Sequence, residues 1–264
     1  MLAALDALIE TPARTALLMD FDGTLAAIVD HPGAAAPVPG VVPLLRSLVA
    51  RFGVVGIVSG RPVAFLREAL PVDGLAFVGQ YGMEHWDGTQ VVVDQRTASY
   101  HALIAEVGDR AVAEFPTVLV ERKGEVAVTL HFREHPDLEH HVRLWADVTA
   151  TEMGLVPYPT RMAVELRPPI RVDKGEAAAG LVAGMEAAMF AGDDHGDIAA
   201  FDALDALRAG GALARVVRVA ASSLEAPIEL VRRADLVVDG PAGVVEFLTQ
   251  LIAAVEQAGE SQPG

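Results

Sequence analysis

Two aspartates one residue apart, Asp20 and Asp22, follow the uncharged run Thr15–Met19 and precede a glycine. A run of strand length that ends in this way predicts a buried parallel strand whose C-terminal end carries both carboxylates, at the edge where open α/β folds bind ligands. Carboxylates this close repel each other unless a cation, a proton or backbone amides offset their charge. The pair therefore predicts metal-assisted phosphoryl transfer with an aspartate nucleophile.

A second group of acids, Asp193, Asp194 and Asp197, follows another apolar run at 187–191. The ends of two predicted strands then converge with five carboxylates. Hard oxygen ligands of this kind select Mg²⁺, and the chain has no cysteine that could form a thiolate site. The alternative is an acidic loop without a ligand.

Ser59 and Lys174 complete the set of chemical groups. Ser59 follows the apolar run Val54–Val58, and its hydroxyl, together with amides at the start of the next helix, suits a phosphate oxygen. The alternative is that Ser59 only caps that helix. Lys174 is one of two lysines in the chain, and an ammonium ion there could neutralise both the nucleophile and the transferring phosphoryl group.

Strand-like and helix-like segments alternate on both sides of a different central segment. This rhythm predicts right-handed crossovers and a doubly wound parallel sheet, which is an α/β core. The predicted strands lie at 15–20, 54–59, 75–80, 187–191, 216–220 and 236–238. The predicted helices lie at 39–52, 62–70, 175–185, 198–208 and 242–257.

The central segment, 98–171, has another order of elements. Two helix-strand-strand units in tandem predict an antiparallel sheet with helices on one face, separate from the parallel core. The helices are predicted at 99–115 and 136–153, and the strand pairs at 118–123 with 126–132 and at 155–158 with 162–166. We therefore predict two domains: a catalytic core formed by 1–97 and 172–264, and an inserted α+β cap domain formed by 98–171.

The composition limits the possible partners. The chain has 264 residues, is 52% hydrophobic and carries a formal net charge of -16, which argues against nucleic acid because binding a polyanion requires a basic surface. No apolar run reaches the roughly 18 residues that span a bilayer, and no signal peptide or membrane anchor is recognisable. We expect a cytoplasmic protein with a small-molecule partner, without a membrane or nucleic-acid partner, and we favour a monomer.

Taken in order, four motifs resemble those of the haloacid dehalogenase (HAD) superfamily of phosphotransferases, over residues 14–97 and 172–250. They are Asp20-Phe21-Asp22-Gly23-Thr24-Leu25, Ser59-Gly60-Arg61-Pro62, Asp173-Lys174-Gly175 and Gly192-Asp193-Asp194-His195-Gly196-Asp197. The resemblance implies that Asp20 attacks phosphorus and forms an aspartyl-phosphate. It also implies that Asp22 protonates the leaving sugar oxygen and later deprotonates the hydrolytic water.

The same resemblance implies the metal ligands and the phosphate-binding residues. Mg²⁺ would be held by Asp20, Asp193 and the carbonyl of Asp22. Asp194 and Asp197 would order its waters or neighbouring groups, and Ser59 and Lys174 would hold the phosphoryl group. We also predict substrate contacts for four residues next to these motifs, Gly23, Thr24, Gly60 and Arg61.

Within this superfamily the chain most resembles the trehalose-6-phosphate phosphatases. The similarity lies in the second motif and in the strings Gly79-Gln80-Tyr81-Gly82-Met83-Glu84, Glu121-Arg122-Lys123, His131-Phe132-Arg133 and Val164-Glu165-Leu166-Arg167-Pro168. It implies that the cap domain presents charged groups to sugar hydroxyls, from Glu121, Lys123, Arg133, Arg161 and Glu165. Arg161 stands where the family usually has a lysine, and the alternative for all five residues is a solvated charged surface.

The resemblance implies a Mg²⁺-dependent phosphatase that hydrolyses trehalose 6-phosphate to trehalose and phosphate, in trehalose biosynthesis. A first alternative is another HAD sugar-phosphate phosphatase, of the sucrose-phosphate or mannosylglycerate-phosphate type. A second alternative, from a different class, is a catalytically silent protein that binds a sugar phosphate.

Overall fold

The computed structural model describes residues 2–29, 31–160, 162–223 and 226–260. It divides the chain into two compact units, one made of Met1–Val91 with Val172–Gly264 and the other of Val92–Arg171. The second unit is thus inserted between the two parts of the first. The second unit begins at Val92, six residues before the predicted boundary at 98. One reason is that the 3-10 helix Gln95–Tyr100 leads directly into the first α-helix of that unit.

An eight-stranded sheet runs through the described residues of the first unit, and its last strand before the insertion, Val91–Val93, crosses the boundary at Val91. The strands are β1 (Thr15–Met19), β2 (Val54–Val58), β3 (Ala76–Gly79), β4 (Glu84–Trp86), β5 (Val91–Val93), β10 (Ala187–Gly192), β11 (Arg215–Ser222) and β12 (Leu236–Asp239). Their order in the sheet is β12-β11-β10-β1-β2-β3-β4-β5, parallel from β12 to β3 and antiparallel between β3 and β4. Because β1 and β10 are neighbours, the two acidic motifs leave the sheet side by side.

The residues of β1 are buried on both faces of the sheet, as is typical of a central parallel strand. Leu17 and Met19 pack into one core, and Ala16 and Leu18 pack into the core on the opposite face. The first face is covered by α1 (Leu2–Ile9), α2 (Val41–Val49), α3 (Val63–Ala69) and α9 (Gly240–Glu260), and the second by α6 (Lys174–Leu181), α7 (His195–Ala209) and α8 (Ile228–Arg233). The predicted doubly wound α/β sheet is therefore confirmed.

The second unit is an antiparallel sheet with two helices on one face. Its elements are α4 (His101–Glu114), β6 (Leu119–Lys123), β7 (Ala127–His131), α5 (Glu139–Met153), β8 (Val156–Thr160) and β9 (Ala163–Arg167), and the strand order is β6-β7-β9-β8. Val128 and Leu130 of β7 pack with Val142 and other apolar residues of the two helices. Because side chains alternate along a strand, Thr129 of β7 lies on the opposite face of the sheet.

Some elements differ from the sequence-based prediction, for local reasons. The helix expected at 198–208 begins three residues earlier, at His195, because Asp194 caps it and forms a capping box with Asp197. Of the three acids in this motif, Asp194 is thus the N-cap residue and Asp197 lies in the first turn of α7. The pattern missed α1, α8, β4 and β5, which contain between three and eight residues and are too short for a clear hydrophobic period.

The C-terminal helix α9 is amphipathic. Val244, Phe247, Leu248 and Leu251 recur at helical spacing and are buried in the core on one face of the sheet. In the described part of the chain, no helix is both long enough and apolar enough to cross a membrane.

Candidate active site

The two acidic motifs meet at the C-terminal edge of the parallel sheet. Met19 pairs with Ala191 across β1 and β10, and the amide of Asp20 donates to the carbonyl of Ala191 over 2.9 Å. The strand register therefore places Asp20 and Asp193 together, although 172 residues separate them in the chain. Both are buried, and carboxylate oxygens of Asp20, Asp193 and Asp197 lie within 4.8 Å of one another.

A glycine lets the two motifs approach this closely. Gly23 has a φ of +75°, and a Cβ atom at this position would lie 2.0 Å from a carboxylate oxygen of Asp193. The Asp193 side chain thus occupies the space that any larger residue at 23 would need. We predicted Gly23 as a substrate contact, and its place in the structure is against the Asp193 carboxylate.

Lys174 lies at the centre of the acid cluster. It is 2% exposed, and its Nζ atom lies 2.9 Å from Asp20 Oδ2 and 2.7 Å from Asp197 Oδ1. Burial lowers the pKa of Lys174, but Asp194, Asp197 and Asp20 outweigh this effect and raise that pKa well above its usual value. Lys174 is therefore a permanent cation beside the carboxylate of Asp20.

One lysine does not neutralise the whole cluster. Burial raises the pKa of Asp20 to about 7, because Lys174 only partly offsets the desolvation and three nearby aspartates add to it. Burial and the charges of Asp197 and Asp194 raise the pKa of Asp193 to about 8. A divalent cation would supply the missing positive charge.

Asp20 also offers an oxygen suited to such a cation. Its Oδ1 atom is buried and has no hydrogen-bond partner among the described residues, whereas Oδ2 faces Lys174. A buried carboxylate oxygen without a partner is costly, and a metal ion is one of the few groups that can satisfy it. The residues at this edge therefore fit a divalent cation.

Asp197 lies in the same cluster, but its oxygens are already engaged. Oδ1 accepts from Lys174, and Oδ2 accepts from the amides of Asp193 and Asp194 over 2.9 and 3.0 Å. Asp194 in turn accepts from the amides of Gly196 and Asp197 at the start of α7. Asp20 and Asp193 are thus better placed as cation ligands than Asp197, which holds the loop and Lys174 in position.

Ser59 lies at the end of β2, the other neighbour of β1. Met19 pairs with Ile57, so Ser59 leaves the sheet at the same edge as Asp20. Its side chain is buried, and its Oγ atom accepts from the amide of Arg61 over 3.3 Å. The alternative that Ser59 only caps the next helix is wrong, because α3 begins at Val63, whose amide donates to Glu84.

Arg61 and Asp22 form a close ion pair. Arg61 Nε donates to Asp22 Oδ2 over 2.7 Å, and Arg61 Nη2 donates to Asp22 Oδ1 over 2.8 Å. We predicted Arg61 as a substrate contact, and in this structure its guanidinium group binds the second aspartate of the first motif. The side chain of Asp22 remains 33% exposed, so it is the accessible member of the pair of acids.

The two remaining predicted contacts in the first unit lie against protein atoms. A Cβ atom at Gly60 would lie 2.6 Å from the ring of Tyr81, so only glycine fits there without displacing that ring. The hydroxyl of Thr24 is buried and has no hydrogen-bond partner among the described residues.

The second unit contains its own cluster of polar residues. Lys123 Nζ lies 2.7 Å from Glu165 Oε2, which also accepts from the hydroxyl of Thr129 over 3.2 Å. Lys123 and Glu165 are both buried, so they do not form a solvated charged surface. Glu121 Oε2 lies 2.8 Å from the Nε2 atom of His131.

Two further predicted residues belong to the same segment. Arg133 is half-buried in the turn that follows β7. Arg161 lies outside the described residues.

Sequence reasoning did not select several residues of these clusters. Thr129, His131 and Arg167 alternate with buried apolar residues along β7 and β9, and Arg167 stacks over the ring of Tyr158, 3.3 Å from its centre. The alternation of polar and apolar residues was the signal that could have found them. Glu84 belongs to one of the strings that carry the family resemblance, but nothing local in the sequence shows that its carboxylate accepts from the amide of Val63.

Comparison with known proteins agrees with this geometry. Residues 18–229 match the family model described as trehalose-phosphatase. A trehalose-phosphate phosphatase of Mycobacterium leprae is 32% identical over 258 residues, which are 91% of this chain and 58% of that protein. A Mycobacterium tuberculosis protein described as an uncharacterized glycosyl hydrolase is 36% identical over 210 residues, which are 74% of this chain and 16% of that protein.

A solved structure extends the comparison to the fold. The crystal structure of a trehalose-6-phosphate phosphatase related protein matches with a TM-score of 0.77 and 25% identity, over 92% of this chain and 99% of that chain. The chain therefore spans only part of the length of these mycobacterial relatives, but nearly all of this related structure.

Proposed function

The chain belongs to the trehalose-phosphatase family, and from that premise we propose that it hydrolyses trehalose 6-phosphate to trehalose and inorganic phosphate. The observation that carries the proposal is the buried carboxylate of Asp20, held 2.9 Å from Lys174 with Asp193 beside it. Such a carboxylate is oriented, partly desolvated and next to a permanent cation, which are the requirements for an aspartate nucleophile in phosphoryl transfer. The first unit is then the catalytic domain.

In the first step, an oxygen of Asp20 attacks phosphorus, and the bond from phosphorus to the sugar oxygen breaks. The sugar oxygen takes a proton from Asp22, so trehalose leaves as a neutral alcohol and Asp20 carries the phosphoryl group. Ser59 and Lys174 lie at the same edge as Asp20 and bind phosphoryl oxygens in this proposal. Lys174 also offsets the negative charge that would otherwise repel an anionic substrate.

In the second step, water attacks the phosphorus of the aspartyl-phosphate. Its proton passes to the carboxylate of Asp22, the bond from phosphorus to Asp20 breaks, and inorganic phosphate leaves. Asp22 is thereby protonated again, and Asp20 is regenerated. The partial exposure of the Asp22 side chain is consistent with a group that exchanges protons with substrate and water.

We propose Mg²⁺ as the divalent cation of this site. Asp20 and Asp193 would hold it through carboxylate oxygens and Asp22 through its carbonyl, while Asp194 and Asp197 would keep the surrounding loop in place. When bound, the ion would neutralise the transferring phosphoryl group and orient it toward Asp20. The donor set consists only of oxygens, which is the preference of Mg²⁺.

For the second unit we propose recognition of the sugar. Buried Lys123 and Glu165 offer a donor and an acceptor in fixed positions, and Glu121, Arg133 and Arg161 are the further predicted contacts. Sites that pair their polar groups with substrate hydroxyls discriminate strongly against compounds that lack those hydroxyls.

Lys123→Met is therefore expected to raise the KM for trehalose 6-phosphate far more than the KM for p-nitrophenyl phosphate, which has no sugar.

Phosphate release from trehalose 6-phosphate in the presence of Mg²⁺ tests the proposal directly. Asp20→Asn should abolish release because an amide is not a nucleophile for phosphorus, and Asp73→Asn, an exposed substitution of the same type, should leave it unchanged. A silent binding protein would show no release from the unsubstituted chain. Equal or faster turnover of sucrose 6-phosphate or mannosylglycerate phosphate would favour the alternative substrates.

A cytoplasmic location and a monomeric state stay predictions from the sequence. Sedimentation of the purified chain at several concentrations would test the second of these.

A further inference from the structure

The guanidinium group of Arg61 is held in one orientation by groups from three segments. Its Nε and Nη2 atoms donate to the two carboxylate oxygens of Asp22, and Nη1 donates to the carbonyl of Pro32 over 2.8 Å. Its carbon atom Cζ lies 4.8 Å above the ring centre of Phe65. A planar group with this many contacts has little freedom to rotate, so it also fixes the plane of the Asp22 carboxylate.

Neighbouring residues hold both members of the ion pair between Arg61 and Asp22 in place. Phe65 packs edge to face against Phe21, the residue between the two aspartates of the first motif, with 5.8 Å between ring centres. The main-chain carbonyl of Arg61 accepts from the amide of Gln80 over 3.0 Å. Arg61 is therefore fixed through its backbone to the turn after β3, and through its side chain to Asp22 in the loop of the first motif.

From this geometry, and resting on the proposed function, we infer that Arg61 is a positioning residue for Asp22 in the hydrolysis of the aspartyl-phosphate. In that step Asp22 must present a lone pair to the proton of the attacking water. A carboxylate held by both oxygens on a guanidinium fork keeps one plane, and its outer lone pairs keep one direction. Proton transfer requires this alignment to within a fraction of an ångström.

A conservative substitution of Arg61 can distinguish a substrate-binding role from a positioning role. If Arg61 binds the substrate phosphate, its loss weakens substrate binding and raises KM. If Arg61 positions Asp22, its loss slows the step in which water attacks and leaves substrate binding nearly unchanged. Arg61→Lys keeps the positive charge but loses the planar fork, so it tests the geometry and not the charge.

The experiment uses p-nitrophenyl phosphate, whose leaving group departs without needing a proton, in stopped-flow measurements with Mg²⁺. Arg61→Lys should lower kcat by about 10- to 100-fold, the effect of a misplaced catalytic group. KM should fall by a similar factor, so kcat/KM should change by less than about threefold, because kcat/KM depends only on the steps up to formation of the aspartyl-phosphate. Nitrophenolate should appear in a burst of one equivalent per active site, followed by slow turnover, because the aspartyl-phosphate accumulates. Arg67→Lys is the matched control, since Arg67 lies in helix α3 shortly after Arg61 and its guanidinium group stacks on the ring of Trp86.

A double substitution distinguishes loss of positioning from a general loss of folding stability in the Arg61→Lys variant. In an Asp22→Asn background, Arg61→Lys should have almost no further effect on the slow phase, because the group that it positions is already removed. A raised KM with unchanged kcat, the absence of a burst, or full additivity in the double variant would each overturn the inference. If the unsubstituted chain releases neither nitrophenolate nor phosphate, the proposed function itself is wrong.

Discussion

At the residue scale, Lys174 supplies positive charge to a cluster of five carboxylates, and its Nζ atom lies within 4.0 Å of three of them. Lys174→Met keeps most of the side-chain volume and removes the charge. We expect kcat to fall by about 100- to 1000-fold, since in the proposed mechanism a charge directed at the transferring phosphoryl group is lost from a water-poor site. Steady-state phosphate release measures the effect.

An exposed cation provides the control for this substitution. Arg208→Met removes a positive charge from the exposed last turn of α7, and it should leave kcat within about twofold because a surface charge contributes little. Equal losses in both variants would show that the general charge of the protein, and not the Lys174 contact, controls the reaction.

The titration of Asp20 and Asp193 predicts how stability depends on pH. Their pKa values rise from 3.8 to about 7 and about 8 in the folded state without a cation. The folded state therefore binds more protons than the unfolded state between these limits, and stability falls as pH rises through this range. The midpoint of thermal unfolding in EDTA should decrease from pH 5 to pH 8.

Mg²⁺ should remove most of this decrease, because it replaces the protons as the positive charge between the carboxylates. The difference in midpoint with and without Mg²⁺ should thus grow with pH. A difference that is the same at pH 5 and pH 8 would show that these two carboxylates do not hold the cation.

At the scale of elements, the turn after β3 supports the loop that carries Ser59. Gln80 and Tyr81 have φ angles of +51° and +60°, which non-glycine residues adopt only when their surroundings impose them. The amide of Tyr81 donates to the carbonyl of Ser59 over 3.0 Å. This strained turn therefore fixes the path of the loop that carries Ser59.

Glu84, at the start of β4, connects this turn to helix α3. Its carboxylate accepts from the buried amide of Val63 over 2.8 Å. Glu84→Ala leaves that amide without an acceptor and should cost about 1–3 kcal/mol of unfolding free energy, whereas Glu84→Gln keeps an acceptor oxygen and should cost less. Urea denaturation of the three proteins measures this, and equal losses in both variants would contradict the role of the hydrogen bond.

At the scale of the whole molecule, the net charge of -16 opposes the approach of the proposed substrate, which is an anion. The positive charge of Lys174 is buried and acts only at short range. Raising the salt concentration from about 10 to 150 mM shortens the Debye length from about 30 to 8 Å, so it should increase kcat/KM for trehalose 6-phosphate. The kcat value should stay constant, and a fall in kcat/KM would show that long-range attraction dominates instead.

The sequence by itself determined the α/β core and the residues that meet at its edge. Runs such as Thr15–Met19 show their strand character locally, and the acids that follow them must reach the C-terminal end of a parallel sheet. Short elements such as β4, with three residues, carry too few side chains to show a period. The cluster of Asp20, Asp193 and Lys174 was therefore accessible from the sequence, and the short elements were not.

Only the tertiary structure decided which partner each polar group takes. Nothing in the sequence shows that Arg61 binds Asp22, or that Glu84 accepts from Val63, since these contacts join residues 39 and 21 positions apart. Such pairs depend on strand register, on the strained turn after β3 and on packing between helices, which are properties of the folded chain as a whole. Local patterns specify where a carboxylate emerges, whereas hydrogen-bond geometry within a few tenths of an ångström is set by long-range packing.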